Sequence, residues 1–402
     1  MNFRQLNYPI VLSTILVSGS LYYASYGKNI LLIPLIALMI LYFLNHHKRG
    51  SWGSQSINRN KFFVLLLAAL LAVSNMHSNF SSLMVLSACM VCALIITEMI
   101  SFNDFAKFYI KIMLFLSVVS WLYYLVLLFQ IPSPLPDFTS IIDVPYSNFL
   151  FFGIFRREMP GSYFEMYFVN RNSGLFWEPG AFQIFVNTAF YFAIVQNQLT
   201  KKRFFIILLT VLTMASTSGV LVFVLLCAAY FSRTINNRTA KENRNIFAIG
   251  IILGVIFFSS TLFNDIFEKF DEGSSSNVSF ISRSSDYLVD SNVLVDHLWR
   301  GVGYGNIAVR EQYAKRMIGE ALYLSSAMPQ GADGLLLYLT YVGVFGLVVV
   351  WRLIYPAQIR NWSRLEKGLV LVALVIMYNN QNMLVYLFPW VMIFYGFSVK
   401  KK

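Results

Sequence analysis

Arg156, Arg157, Arg171, Arg283, Arg300, Arg310 and Arg316, together with Glu178, are the residues of this chain best able to handle a charged substrate. A guanidinium is always charged, and its paired N–H donors match a phosphate or pyrophosphate, so such a set can hold a pyrophosphate without a metal. Arg171 and Glu178 fall within one polar and aromatic stretch, RNSGLFWEPG (171–180). Pro179 keeps the preceding Glu178 extended and suits the first turn of a helix. Glu178 then stands at a positive helix N-terminus, which favours its ionised form. There it can take a proton from a hydroxyl, cap the helix, or pair with Arg171, and the residue pattern leaves these three roles open.

Other chemistries have no residues to carry them. The four His (His46, His47, His77, His297) are scattered, and no HxxxH or carboxylate cluster joins them. There is no DxD pair, no GxSxG elbow and no P-loop, and GVGYGN (301–306) is not the GxGxxG of a dinucleotide site. No metal and no cofactor is expected. Cys89, Cys92 and Cys227 all lie inside apolar runs and read as small buried hydrophobes.

The elements that position these residues are membrane spans. The chain has 402 residues, 57% of them hydrophobic and only 12% charged. The fold class expected is an all-α polytopic membrane protein of about twelve transmembrane helices. The candidate spans are 8–26, 29–45, 62–74, 81–100, 108–131, 180–198, 204–215, 218–232, 246–263, 332–351, 368–379 and 382–397. The first run lacks a small-residue cleavage site and reads as a retained span. Two short pairs form hairpins interrupted by STSG (216–219) and NNQN (379–382). Such breaks are tolerated at membrane depth only where protein or water covers the backbone.

Orientation follows from the Lys/Arg bias. With both termini cytoplasmic, the inside segments collect Lys48, Arg49, Arg59 and Lys61, the KKR at 201–203 and the KKK at 400–402. The formal net charge of +12 is therefore a topology signal, and no nucleic-acid partner is expected. The organisation reads as spans one to five (1–131), a first outside loop (132–179), spans six to nine (180–263), a second outside loop (264–331), then the last three spans and a basic tail (332–402). The first loop is rich in rings such as Phe151, Phe152, Phe155, Tyr163 and Trp177, which suit either the bilayer interface or the C–H faces of sugars. In the second, a flexible GSSSN (273–277) precedes a predicted helix, 282–299. Its apolar positions Tyr287, Leu288, Leu294, Val295 and Leu298 recur at helical spacing, with Arg283, Asp286 and Asp290 on another face. Gly301, Gly303 and Gly305 end it.

Arg171-x-x-Gly174-Leu-Phe-Trp-Glu178-Pro-Gly180 resembles the R-x-x-G-x-F-x-E-P-G pattern of bacterial polysaccharide polymerases in the O-antigen polymerase and ligase superfamily. The turn after the second-loop helix, His297-Leu-Trp-Arg-Gly301-Val-Gly303-Tyr-Gly-Asn306, and the run Gly334–Leu347 are similar to that family as well. The resemblance implies a metal-independent, inverting glycosyltransferase at the periplasmic face of the inner membrane. Its donor and acceptor would be glycans linked to undecaprenyl pyrophosphate, and its protein partners a chain-length regulator and a flippase. It implies catalytic roles for Arg171, Glu178 and Arg283, and substrate contacts from Arg156, Arg157, Arg300, Arg310, Trp177, Gly301 and Gly303. Ligases of the family carry a His at the start of the span after the second loop; GADGLLL (331–337) has none, which favours a polymerase. The arginine–glycine spacings described for polymerase loops are not met from Arg171 or Arg283. Against a transporter, the spans hold few charges, and the polar mass sits in the two loops.

Overall fold

The computed structural model describes residues 4–20, scattered positions in 33–40, and residues 80–128, 138–139, 145–149, 153–156, 172–235, 275–318 and 334–397. In chain order the helices are α1 (Arg4–Gly19), α2 (Phe80–Met99), α3 (Phe102–Leu128), α4 (Pro179–Val195), α5 (Lys201–Met214), α6 (Thr217–Ile235), α7 (Ser275–Asp296), α8 (Ile307–Ile318), α9 (Gly334–Val342), α10 (Leu347–Ile354), α11 (Arg364–Asn379) and α12 (Leu387–Phe397). Three short strands lie between α3 and α4: β1 (Phe138–Thr139), β2 (Pro145–Phe149) and β3 (Gly153–Arg156). They form an antiparallel sheet in the order β1-β2-β3, with Phe138 opposite Tyr146 and Tyr146 opposite Arg156.

The described chain is thus mostly helical. Among the described residues, three helical segments are long and apolar enough to cross a membrane: Ser82–Met99, Phe102–Leu122 and Thr217–Thr234. Shorter apolar helices accompany them, including Pro179–Val195 and Leu387–Gly396. The spans read at 62–74 and 246–263, and most of 29–45, lie outside the described residues. Cys89, Cys92 and Cys227 are buried free thiols.

The chain divides into two units. The first comprises Met1–Ile40, Ile100–Asn264 and Asn361–Ala373. Within it α4 is the central helix, packed by α1, α3, α5 and α6. Its side chains from Ala181 to Ile194 are buried all round, as expected of a helix with no polar face. Pro179 starts it without losing a needed donor. It ends where Asn197 turns left-handed, with φ 52°, a conformation that asparagine tolerates better than most residues. The next helix, α5, is capped by the Thr200 hydroxyl, which accepts from Arg203 N. Ala215, left-handed, closes it. The STSG break is therefore a tight reversal between two helices, as its composition predicts.

The second unit comprises Leu41–Met99, Asp265–Arg360 and Leu374–Lys402. Within it α2 packs on α12, α10 on α12, and α7 on α8 and α9. Three expectations are corrected here. The loop helix starts at Ser275 rather than 282, so 275–277 is helical rather than a flexible linker. A helix not expected from the sequence, α8, follows the glycine turn. The span expected as one piece over 332–351 is broken: α9 stops at Val342, Gly343 adopts φ 73°, a short 3-10 turn covers Val344–Gly346, and α10 resumes.

Candidate functional site

In the first unit the stretch leading into α4 is fastened by a residue that the sequence reading passed over. Asn172 is buried, at 2% exposure. Its Nδ2 donates to Ser120 Oγ on α3 (2.9 Å) and to Thr213 Oγ1 on α5 (3.1 Å). Its backbone N donates to Thr213 O (2.9 Å), and its Oδ1 accepts from Gly174 N (3.0 Å). The last bond is an Asx turn, which the Asn-Ser-Gly run could have announced. The chain then tucks Phe176 against Phe182 and Phe185 of α4, with ring centroids 4.9 and 4.7 Å apart. Both ends of the stretch are thereby held, and the residues between have little freedom.

Glu178 is the N-cap residue of α4, extended at φ −161° and ψ 162°, and its backbone carbonyl accepts from Ala181 N and Phe182 N. The side chain makes no capping hydrogen bond. Among the described residues the half-buried carboxylate has no hydrogen-bond or ion-pair partner, so the capping role is set aside. The residue stands at the N-terminus of a helix, where an anion is favoured. Trp177 beside it is half-buried. Arg171 and Arg157 lie outside the described residues; Arg156 ends β3, with only its backbone described.

One helical turn into α4 lies a buried amide pair that sequence reading also missed. Asn187 Nδ2 donates to Gln183 Oε1 (3.1 Å) and to Gly219 O of α6 (2.9 Å). Gln183 Nε2 and Asn187 Oδ1 have no partner among the described residues. A side chain at Gly219 would collide with Gln183, its Cβ falling 2.8 Å from that of Gln183. The glycine of the STSG break therefore lets α6 approach α4 closely enough for the amide contact.

In the second unit, α7 and α8 are joined by a buried ion pair. Arg310 Nε donates to Asp290 (2.7 Å), and Arg310 Nη2 to Asp286 (2.6 Å) and again to Asp290 (3.1 Å). All three residues are buried. Burial alone lowers the stability of the Arg310 charge, but the hydrogen bonds and charges of Asp290 and Asp286 more than reverse this and hold the guanidinium above its ordinary range. Arg310 is therefore not the phosphate contact expected of it: its donors are spent on two aspartates inside the protein. The acidic and apolar positions fall on different faces of this segment, and the acidic one is inward. Asp286, Val289, Asp290 and Val293 point inward, while Tyr287, Leu288, Val295 and Leu298 are exposed. The arginine on α8 makes the acidic face the buried one.

The glycine turn after α7 is committed to backbone bonds. Val302 N donates to Thr340 O (2.9 Å) and Gly303 N to Tyr341 O (3.2 Å), while Val344 N donates to Leu298 O (2.7 Å). Gly301 N donates to His297 O (2.8 Å). The turn thus satisfies carbonyls that α9 leaves open where it stops. Gly301 and Gly303 hold this junction; their N–H groups are not donors for a substrate. Arg300 beside them is exposed, and Arg283 lies on α7 with its side chain outside the described residues. Asn379, at the end of α11, accepts from Leu335 N at the start of α9 (3.2 Å) and donates to Tyr287 of α7 (2.6 Å), so the NNQN break serves as a connector.

Among the described residues no group of three or more His, Cys, Asp or Glu side chains gathers where a metal ion could be held. Replacing Asn172 by alanine should remove the side-chain bonds to Ser120 Oγ, Thr213 Oγ1 and Gly174 N, at a cost of about 1–3 kcal/mol. Thermal unfolding of the purified protein in lipid nanodiscs should show a lower midpoint; an unchanged midpoint would contradict the fastening role. No known protein family, curated protein or solved structure matches the chain.

Proposed function

We propose that this protein is a membrane glycosyltransferase of the O-antigen polymerase kind, with about twelve spans, both termini cytoplasmic, and its polar loops on the periplasmic side of the inner membrane. The observation that carries the reading is Glu178: a half-buried carboxylate at a helix N-terminus, held in place by its neighbours yet without a partner among the described residues. A carboxylate used only to stabilise a fold is ordinarily capped or paired, whereas a general base must keep its lone pairs for the substrate.

In the proposed reaction the acceptor sugar hydroxyl gives its proton to Glu178. Its oxygen bonds to the anomeric carbon of the donor glycan from the face opposite the leaving group. The bond from that carbon to the pyrophosphate oxygen breaks, and undecaprenyl pyrophosphate leaves with the electron pair. Arg171 stabilises the charge as it develops on the pyrophosphate, a role that the resemblance also implies for Arg283. Arg156, Arg157 and Arg300 are further anion contacts, and Trp177 offers a ring face to the glycan. Arg310 has no part, since its charge is spent on Asp286 and Asp290.

The test is the lipopolysaccharide ladder of cells carrying Glu178→Gln or Arg171→Ala at normal protein level. Loss of a general base lowers a rate by roughly 10²–10⁴-fold, so the ladder should collapse to core bearing a single repeat unit. A full ladder in both variants would overturn the assignment. Bare core on deletion of the gene would point instead to a ligase.

A further inference from the structure

The outward face of α7 ends in a cluster that a water-facing loop has no reason to display. Val295 is 74% and Trp299 71% exposed, with Leu298 beside them at 45%. Leu288 and Val295 share one face of α7, and Leu298 and Trp299 lie in the turn just after it. That face is available because the opposite one is taken by the Asp286–Asp290–Arg310 pairing.

The cluster adjoins a second apolar surface. The run Gly334–Ile354 carries a single charge, Arg352, and α10 within it exposes Leu347, Val348 and Trp351, with Phe345 just before. The segments that carry the two surfaces touch, since Val344 N is bonded to Leu298 O, and a Cβ on Gly343 would fall 2.6 Å from Trp299 O. The turn docks after the nine residues of α9, which at 1.5 Å per residue is about 13 Å along the apolar run. A bilayer hydrocarbon core is about 30 Å thick. Arg300 next to Trp299 completes the pairing usual at an interface: a ring in the acyl region beside a cation able to reach headgroups.

We infer that the end of α7 and the turn just after it, at Val295, Leu298 and Trp299, are immersed in the acyl-chain region of the bilayer beside α10, so that this segment is anchored in lipid. The partner is the acyl-chain region of bulk phospholipid. This goes beyond the glycosyltransferase reading and does not depend on it. A glycan stacked on Trp299 in water is the competing occupant, and the experiment separates the two.

The unmodified protein, in nanodiscs made with a phospholipid carrying a photoactivated carbene precursor on its acyl chain, is irradiated and mapped by mass spectrometry. Adducts are expected on the peptide containing Val295–Trp299 as well as on that containing Phe345–Trp351. Adducts on the second peptide alone, or on neither, would overturn the inference. Spin labels at Val295→Cys and Trp299→Cys, with Cys89, Cys92 and Cys227 replaced by alanine, supply an independent reading. Both positions are exposed, so the labels disturb little packing. Relaxation at both should be stronger with dissolved oxygen than with a water-soluble nickel chelate. Stronger relaxation by nickel at either site would place that face in water and overturn the inference.

Discussion

Replacing Gly301 by alanine should destabilise the folded protein by at least ~3 kcal/mol, although the substitution adds one methyl group. Gly301 sits at φ 66°, where an L residue with a side chain costs about 1–2 kcal/mol. The added Cβ would also overlap the backbone carbonyl of Tyr341 and lie 2.6 Å from Val342 N. Backbone cannot rotate aside as a long side chain does, so the turn must back away. It then loses the bonds from Val302 N to Thr340 O and from Gly303 N to Tyr341 O, each contributing about 0.5–1.5 kcal/mol. Gly368 in α11 is the matched control: a Cβ there meets nothing within 4 Å, and alanine in a helix gains about 1 kcal/mol over glycine. Thermal unfolding in nanodiscs should show Gly301→Ala well below the parent and Gly368→Ala at or above it. Equal midpoints for the two variants would refute the account of the junction.

Arg310→Met should be comparably damaging, for an electrostatic reason. It leaves Asp286 and Asp290, at 1% and 0% exposure, buried without their cation. Removing one partner of a buried pair costs about 3–5 kcal/mol. The informative comparison is the triple variant Asp286→Leu, Asp290→Leu, Arg310→Met. Replacing a whole buried ion cluster by apolar groups of similar volume is often neutral or stabilising. The triple variant should therefore recover most of the midpoint lost by Arg310→Met alone. Failure to recover would mean that the aspartates serve something other than Arg310. The same set bears on the proposed glycosyltransferase function: if that proposal holds and the charges only join α7 to α8, the triple variant should retain a lipopolysaccharide ladder.

Several apolar helices were legible because apolar length is a local property. The positions of α2, α3, α4 and α6 follow from runs that any window of residues displays. So did the entry to α4, since Pro179 marks a helix start by its own geometry. The faces of α7 were not legible. Its pattern of Leu288, Val295 and Leu298 reads as an inward stripe only if water lies on the other side, and the pattern cannot tell lipid from core. What decided the matter was Arg310, 20 residues from Asp290 and on another helix. Asn172 escaped for a related reason: a lone asparagine beside a glycine looks like a turn, and its grip on Ser120 and Thr213 requires α3 and α5 to be in place. The glycines of the turn read as the end of the helix, and the resemblance implies substrate contacts for Gly301 and Gly303; that the space beside Gly301 is filled by the backbone of Tyr341 is visible only in the fold.

The junction between the glycine turn and the end of α9 also sets an order of events. Residues 298–303 leave the ribosome before 340–344, so the turn exists before the carbonyls it must receive. Until the two meet, the break at Gly343 keeps open backbone groups that lipid cannot satisfy. On the proposed topology, the apolar run from Gly334 to Ile354 should therefore complete its insertion as a pair with the second loop, each supplying what the other lacks, and a chain deprived of that loop should hold this segment only in a wet, unfinished state.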